Sequence, residues 1–97
     1  MKRKEEILKI LKGLKSYLKQ QFKIKALWAF GSIVREEETQ DSDIDILVDF
    51  AEGADLLNLA ALGLFLEERL KSKVDIVPKR ALREELKNNI LRECIAV

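Results

Sequence analysis

The chain reads as an α/β (α+β) domain of order αβαβαβα, a three-stranded mixed sheet flanked by helices. Three observations predict it. Apolar residues recur at helical spacing from Ile7 to Leu18, from Leu56 to Leu66 and from Leu82 to Ile90. Between them stand three short runs of strand formers, Ala26 to Phe30, Ile44 to Phe50 and Lys73 to Val77. Gly31, Gly53 and Pro78 break the chain after those runs.

Each element has its own signal. Ile7, Leu11, Leu14 and Leu18, widened by Leu8, Ile10 and Tyr17, make an amphipathic first helix over residues 3–21, with lysines on much of the other side. Ala26-Leu27-Trp28-Ala29-Phe30 is a buried strand that stops at Gly31. Ser32 is suited to N-cap a short helix through Glu38, and Thr39-Gln40-Asp41-Ser42 is turn material. In the second strand Ile44, Ile46, Val48 and Phe50 alternate with Asp43, Asp45, Leu47 and Asp49, so one face is partly acidic. Asp55 can cap a third helix over residues 56–71. Lys73-Val74-Asp75-Ile76-Val77 is the third strand, closed by Pro78, and a last helix follows with Leu82, Leu86 and Ile90 four residues apart. The tail Cys94-Ile95-Ala96-Val97 fits either the end of that helix or a short edge strand. With no repeat and no low-complexity linker, residues 1–97 form one domain.

Composition excludes several classes. One cysteine, Cys94, rules out an intrachain disulfide, and the absence of histidine rules out a His-ligated zinc site. The start Met1-Lys2-Arg3-Lys4-Glu5-Glu6 is too charged to lead into a signal-peptide core, and Leu56 to Leu66 falls short of the ~20 residues that span a bilayer. A cytoplasmic protein with no membrane partner is expected. The net charge of +1 hides an asymmetry: residues 1–25 carry nine Lys or Arg against two Glu, and residues 36–55 carry nine acids and no base. Acids so concentrated repel one another, which calls for a cation or a basic partner. The basic first helix has only Tyr17 as an interleaved aromatic, so direct nucleic-acid binding is not expected.

Chemistry begins with parity. Asp43 and Asp45, two apart on a strand, project their carboxylates from one face, and close carboxylates take up a proton unless a cation neutralises them. Carboxylate oxygens are hard ligands suited to Mg²⁺, which keeps waters and substrate phosphates in its other positions. Asp75 is a third acid embedded in a strand, where an unpaired carboxylate among β-branched residues is costly. At Gly31-Ser32 the backbone can approach a ligand closely, Ser32 offers a hydroxyl, and Arg35 lies one turn on with its forked guanidinium. Phosphate donors beside a carboxylate cluster suit a nucleoside triphosphate with its magnesium.

Gly31-Ser32, ten residues, then Asp43-Ile44-Asp45 resembles the signature of the DNA polymerase β-like nucleotidyltransferase superfamily. Asp75 in Val-Asp-Ile-Val stands where that superfamily places its third carboxylate. Short length, Arg35 after Gly-Ser, and Ser42-Asp43-Ile44-Asp45-Ile46-Leu47-Val48 make the chain most similar to the minimal nucleotidyltransferase (MNT) family, with the nucleotidyltransferase core as its fold. Val34 and Glu36 flank Arg35 where relatives often carry small residues. The resemblance implies two Mg²⁺ ions held by Asp43, Asp45 and Asp75, with Asp75 beside the acceptor hydroxyl. It implies ATP phosphates held by Gly31, Ser32 and Arg35. Bringing these groups to one edge requires strands one and two to be antiparallel and strands two and three parallel, the third helix crossing over right-handed.

The acceptor is the remaining question. Larger superfamily members append an acceptor-holding domain that these 97 residues do not contain, which points to an acceptor on another protein. The third helix agrees: from Leu56 to Leu66 only Asn58 and Gly63 fall outside the apolar set, so it is apolar all round, with a face to spare for a partner. The family resemblance implies a HEPN-domain toxin as partner in a hetero-oligomer, the nucleotidyltransferase acting as antitoxin by transferring AMP from ATP to a toxin tyrosine. Two other readings stay open, a binding-only antitoxin that occludes its partner and nucleotidyl transfer to a small molecule such as an aminoglycoside.

Overall fold

The computed structural model describes residues 3–35 and 43–97; the acids Glu36 to Glu38 and the expected turn at residues 39–42 lie outside these. The helical spacing at the start becomes α1 (Arg3–Phe22), which buries Ile7, Leu11, Leu18 and Phe22 and turns its lysines outward. Lys23 ends the helix in the left-handed region, φ 55°, and its carbonyl accepts from the Ala51 N–H at 2.6 Å. β1 (Ile24–Phe30) starts two residues before the expected Ala26. A register shift between Ile24 and Ala26 lets Ile24 and Leu27, three apart, both reach the core while Lys25 stays exposed.

α2 (Ser32–Arg35) is a single turn. Its first bonds run from the Val34 and Arg35 N–H groups to the Gly31 carbonyl, at 3.1 and 3.2 Å. Gly31 therefore holds the cap position, and Ser32, expected there, is the first helical residue. β2 (Ile44–Phe50) follows, with Ile44, Ile46 and Val48 buried as the alternation requires. α3 (Leu56–Leu70) has Asp55 as its cap in a reciprocal box: the Asn58 N–H donates to Asp55 Oδ1 and the Asp55 N–H to Asn58 Oδ1, both at 3.0 Å. Lys71 closes it at φ 53°, and Arg3 donates to Ser72 Oγ at 2.6 Å, tying the start of α1 to the end of α3.

β3 (Val74–Pro78) leads into a 3-10 turn (Lys79–Ala81) and then α4 (Glu84–Glu93). Leu82 stands before α4, in extended backbone, so the expected Leu82–Leu86–Ile90 stripe loses its first member. The tail becomes β4 (Ile95–Ala96), antiparallel to β1 with Ala96 opposite Trp28 and Ile95 opposite Ala29. The sheet thus has four strands, in the order β3-β2-β1-β4, where the sequence predicts three. β1 would otherwise leave one edge of amide groups without a ladder, and the tail fills it: the Val97 N–H donates to the Leu27 carbonyl at 3.1 Å, and Val97 is buried.

Strand directions follow the expectation, β1 with β2 antiparallel and β2 with β3 parallel. α1 and α3 pack on each other and on one face of the sheet, enclosing Leu27, Ala29, Ile44, Ile46, Val48, Leu62 and Leu66. Pairing puts Phe30, Trp28, Asp45, Leu47, Asp75 and Val77 on the opposite face. Among the described residues no helix is long and apolar enough to cross a membrane.

Candidate active site

Three chain segments meet where β1 ends and β2 and β3 begin. The antiparallel ladder sets Phe30 opposite Asp45, and the parallel ladder sets Asp45 opposite Asp75. A bond from the Ile44 N–H to the Lys73 carbonyl, 2.9 Å, fixes that second register at its first rung. Asp45 is therefore the central member, with the turn after β1 on one side and Asp75 on the other. Asp43, at the same parity, immediately precedes β2 and is exposed, as is Asp75, while Asp45 is half-buried.

Gly31 is dictated twice over. Its φ of +75° is one that a side chain strains to adopt, and a Cβ there would collide with Asp45 Oδ2 and stand 3.1 Å from Asp45 Cγ. The close backbone approach expected at this glycine is an approach to the Asp45 carboxylate itself. α2 is too short for an appreciable axial dipole, so any anion held there depends on the Ser32 hydroxyl and single N–H groups.

Electrostatics tie the acids together. Burial, first, and then the Asp75 and Asp43 charges raise the Asp45 carboxyl above its ordinary value, while Arg35 pulls it down. Arg35 also pairs with Glu93 at the end of α4, Nη1 to Oε2 at 3.1 Å, both side chains half-exposed. No sequence signal announces that pair, because 58 positions separate its members. Nearby on the same face, the Lys79 ammonium sits 5.2 Å from the centroid of the Trp28 ring, which the sequence reads simply as core.

Among the described residues no three carboxylates close to metal-ligating distance around one point. The donor set nevertheless fits a hard divalent cation. Asp43, Asp45 and Asp75 are all oxygen ligands, and the like charges that raise the Asp45 carboxyl are what such an ion relieves.

Residues 11–97 match the family model described as the nucleotidyltransferase domain. The chain belongs to that family. Protein adenylyltransferase MntA of Thermococcus cleftensis is 42% identical over 93 residues, covering 96% of this chain and 94% of that one. Among solved structures, one assigned as a minimal nucleotidyltransferase is 38% identical with a TM-score of 0.84, covering 100% of this chain and 97% of that one. A toxin–antitoxin structure solved with AMP-PNP is 26% identical with a TM-score of 0.70, covering 96% of this chain and 70% of that one. This nucleotidyltransferase thus matches the first two proteins over nearly their whole length and spans about 70% of the third.

Proposed function

We propose that the protein transfers AMP from ATP, with Mg²⁺, to a hydroxyl of a HEPN toxin, a tyrosine by family resemblance, and so acts as its antitoxin. The observation that carries the reading is the position of Asp45, pressed against Gly31 and paired in register with Asp75. Identity of 42% to a relative named protein adenylyltransferase supports the transferred group, and likeness to a toxin–antitoxin solved with AMP-PNP supports nucleotide and partner.

In this reading the acceptor oxygen attacks the α-phosphorus, the bond from that phosphorus to the β-phosphate bridge breaks, and pyrophosphate leaves. Asp75, exposed at the start of β3, takes the hydroxyl proton. Ser32, the Gly31 backbone and Arg35 hold the β- and γ-phosphates. Asp43, Asp45 and Asp75 would hold the magnesium, which supplies charge stabilisation to the attacking and leaving oxygens when bound. Half-burial of Asp45 keeps its charge poorly solvated, favouring the metal-bound over the free state.

The test is direct. Incubated with labelled ATP, Mg²⁺ and a HEPN toxin, the wild type should add the mass of one AMP to that protein. Asp43→Asn and Asp45→Asn should abolish the addition while the fold is retained; unchanged transfer would remove the assigned chemistry. A binding-only antitoxin is favoured by one separate observation, the exposed apolar side of α3. In that case Asp43→Asn still neutralises the toxin.

A further inference from the structure

Among the described residues the largest apolar side chains left in solvent, apart from Tyr17 and Leu86, all belong to α3. Leu56, Leu57 and Leu64 are 80%, 78% and 69% exposed. Leu57, Ala61 and Leu64 fall on one side at helical spacing, opposite the buried Leu62, Leu66 and Leu70. Alongside, Phe65 stacks on the half-exposed Tyr17 of α1 at 5.2 Å, and the Arg69 guanidinium lies 5.0 Å from the Phe65 ring centroid. An open groove of about 590 Å³ continues past Arg69 between α1 and α3, lined by Glu6, Lys9, Ile10, Gly13 and Leu14. The groove is open at Gly13, where a Cβ would meet nothing within 4 Å.

We infer that the outer side of α3 and the α1/α3 groove dock an amphipathic helix of the HEPN partner, apolar on one side and flanked by acids. The inference rests on the toxin-partner reading above and deepens it. Two neighbouring helices leave a straight trough, the shape that receives a helix by its apolar stripe. Charge selects the occupant. Lys9 and Arg69 outnumber Glu6, the single acid of the groove lining, and the first 25 residues carry nine Lys or Arg against two Glu. A second copy seated on this side would bring two such basic helices together, whereas an acidic helix is attracted. The surface lies across the sheet from Asp45 and Asp75, so a helix docked there leaves the carboxylate edge uncovered.

Binding of a HEPN toxin tests this, with affinity, transfer and sedimentation measured on the same preparations. Leu57→Asp and Leu64→Asp should each weaken the complex at least tenfold without lowering Tm, Leu64→Lys should weaken it less than Leu64→Asp, and Asp45→Asn should leave affinity unchanged. If both leucine variants bind as the wild type while AMP transfer proceeds, the docking surface is wrong and the proposed function stands. If binding depends on the leucines but no AMP is transferred, docking stands and the enzymatic reading fails. A wild type that dimerises, with Leu64→Asp restoring the monomer, overturns the choice of occupant. Absence of any binding overturns both.

Discussion

Replacing Gly31 with alanine separates backbone strain from side-chain collision. The backbone at +75° costs an L-residue roughly 1–2 kcal/mol. The new Cβ also strikes the Asp45 carboxylate, and turning that side chain off its rotamer costs about 0.5–1.5 kcal/mol. Together these give about 1.5–3.5 kcal/mol, which lowers the Tm of a domain this small by roughly 6–28 °C. Only the second part depends on Asp45. In an Asp45→Ala background the carboxylate is gone and the remaining Cβ contact, 3.4 Å, is ordinary, so Gly31→Ala should cost only the backbone share there. Urea denaturation of the four proteins of this cycle reads a coupling of about 0.5–1.5 kcal/mol. AMP transfer by Gly31→Ala should fall on the order of 100-fold, because the carboxylate is displaced from its working position. Equal costs in both backgrounds would refute the contact between Gly31 and Asp45, and no cost in either would refute the left-handed turn.

Asp45→Asn should abolish transfer yet raise Tm at neutral pH, because it removes a carboxylate whose charge burial and Asp75 disfavour. The sign follows from the raised folded-state pKa: the native state holds the proton more tightly, so the wild type gains stability as pH falls from that value toward 3.8. Thermal melts at neutral pH and near pH 4 should show the gap between variant and wild type closing in acid. Added Mg²⁺ should raise the Tm of the wild type and leave that of Asp45→Asn nearly unchanged, as read by the same melts. Glu93→Gln takes a carboxylate off Arg35, and a half-exposed pair contributes about 0.2–1 kcal/mol, so ATP should bind up to about fivefold more tightly by calorimetry. Asp55→Ala removes the Asp55 Oδ1 acceptor of the α3 capping box, leaving the backbone N–H bond to Asn58 Oδ1, and should cost about 1 kcal/mol, a fall in Tm of roughly 4–8 °C, with transfer by the folded protein unchanged.

The carboxylate edge was readable because its signals are local. Alternation over residues 43–50 assigns Asp45 to the side away from Ile44, Ile46 and Val48, and the β2 ladder places it there. Asp75 stands out as an acid between Val74 and Ile76, and it emerges directly opposite Asp45. What the sequence left open has a shared physical cause, distance along the chain. Ile95 and Ala96 carry too few residues to show alternation, and what makes them a strand is the edge of β1, more than 60 positions away. The Arg35–Glu93 pair and the Lys79–Trp28 contact likewise depend on tertiary approach. At Leu82 the helical spacing misled, since Pro78 and the 3-10 turn take the chain there in extended form before α4 begins.

The rung joining Ile44 to Lys73 has a larger consequence than its single hydrogen bond suggests. Strand side chains alternate, so sliding β3 by one position would swing Asp75 toward the helices and offer Val74 or Ile76 to Asp45 in its place. Insertions are tolerable in the loops on either side, but the count between Lys73 and Asp75 is not negotiable. Under the proposed function, assembling the carboxylate edge and threading the strands correctly are, for this chain, one and the same folding decision.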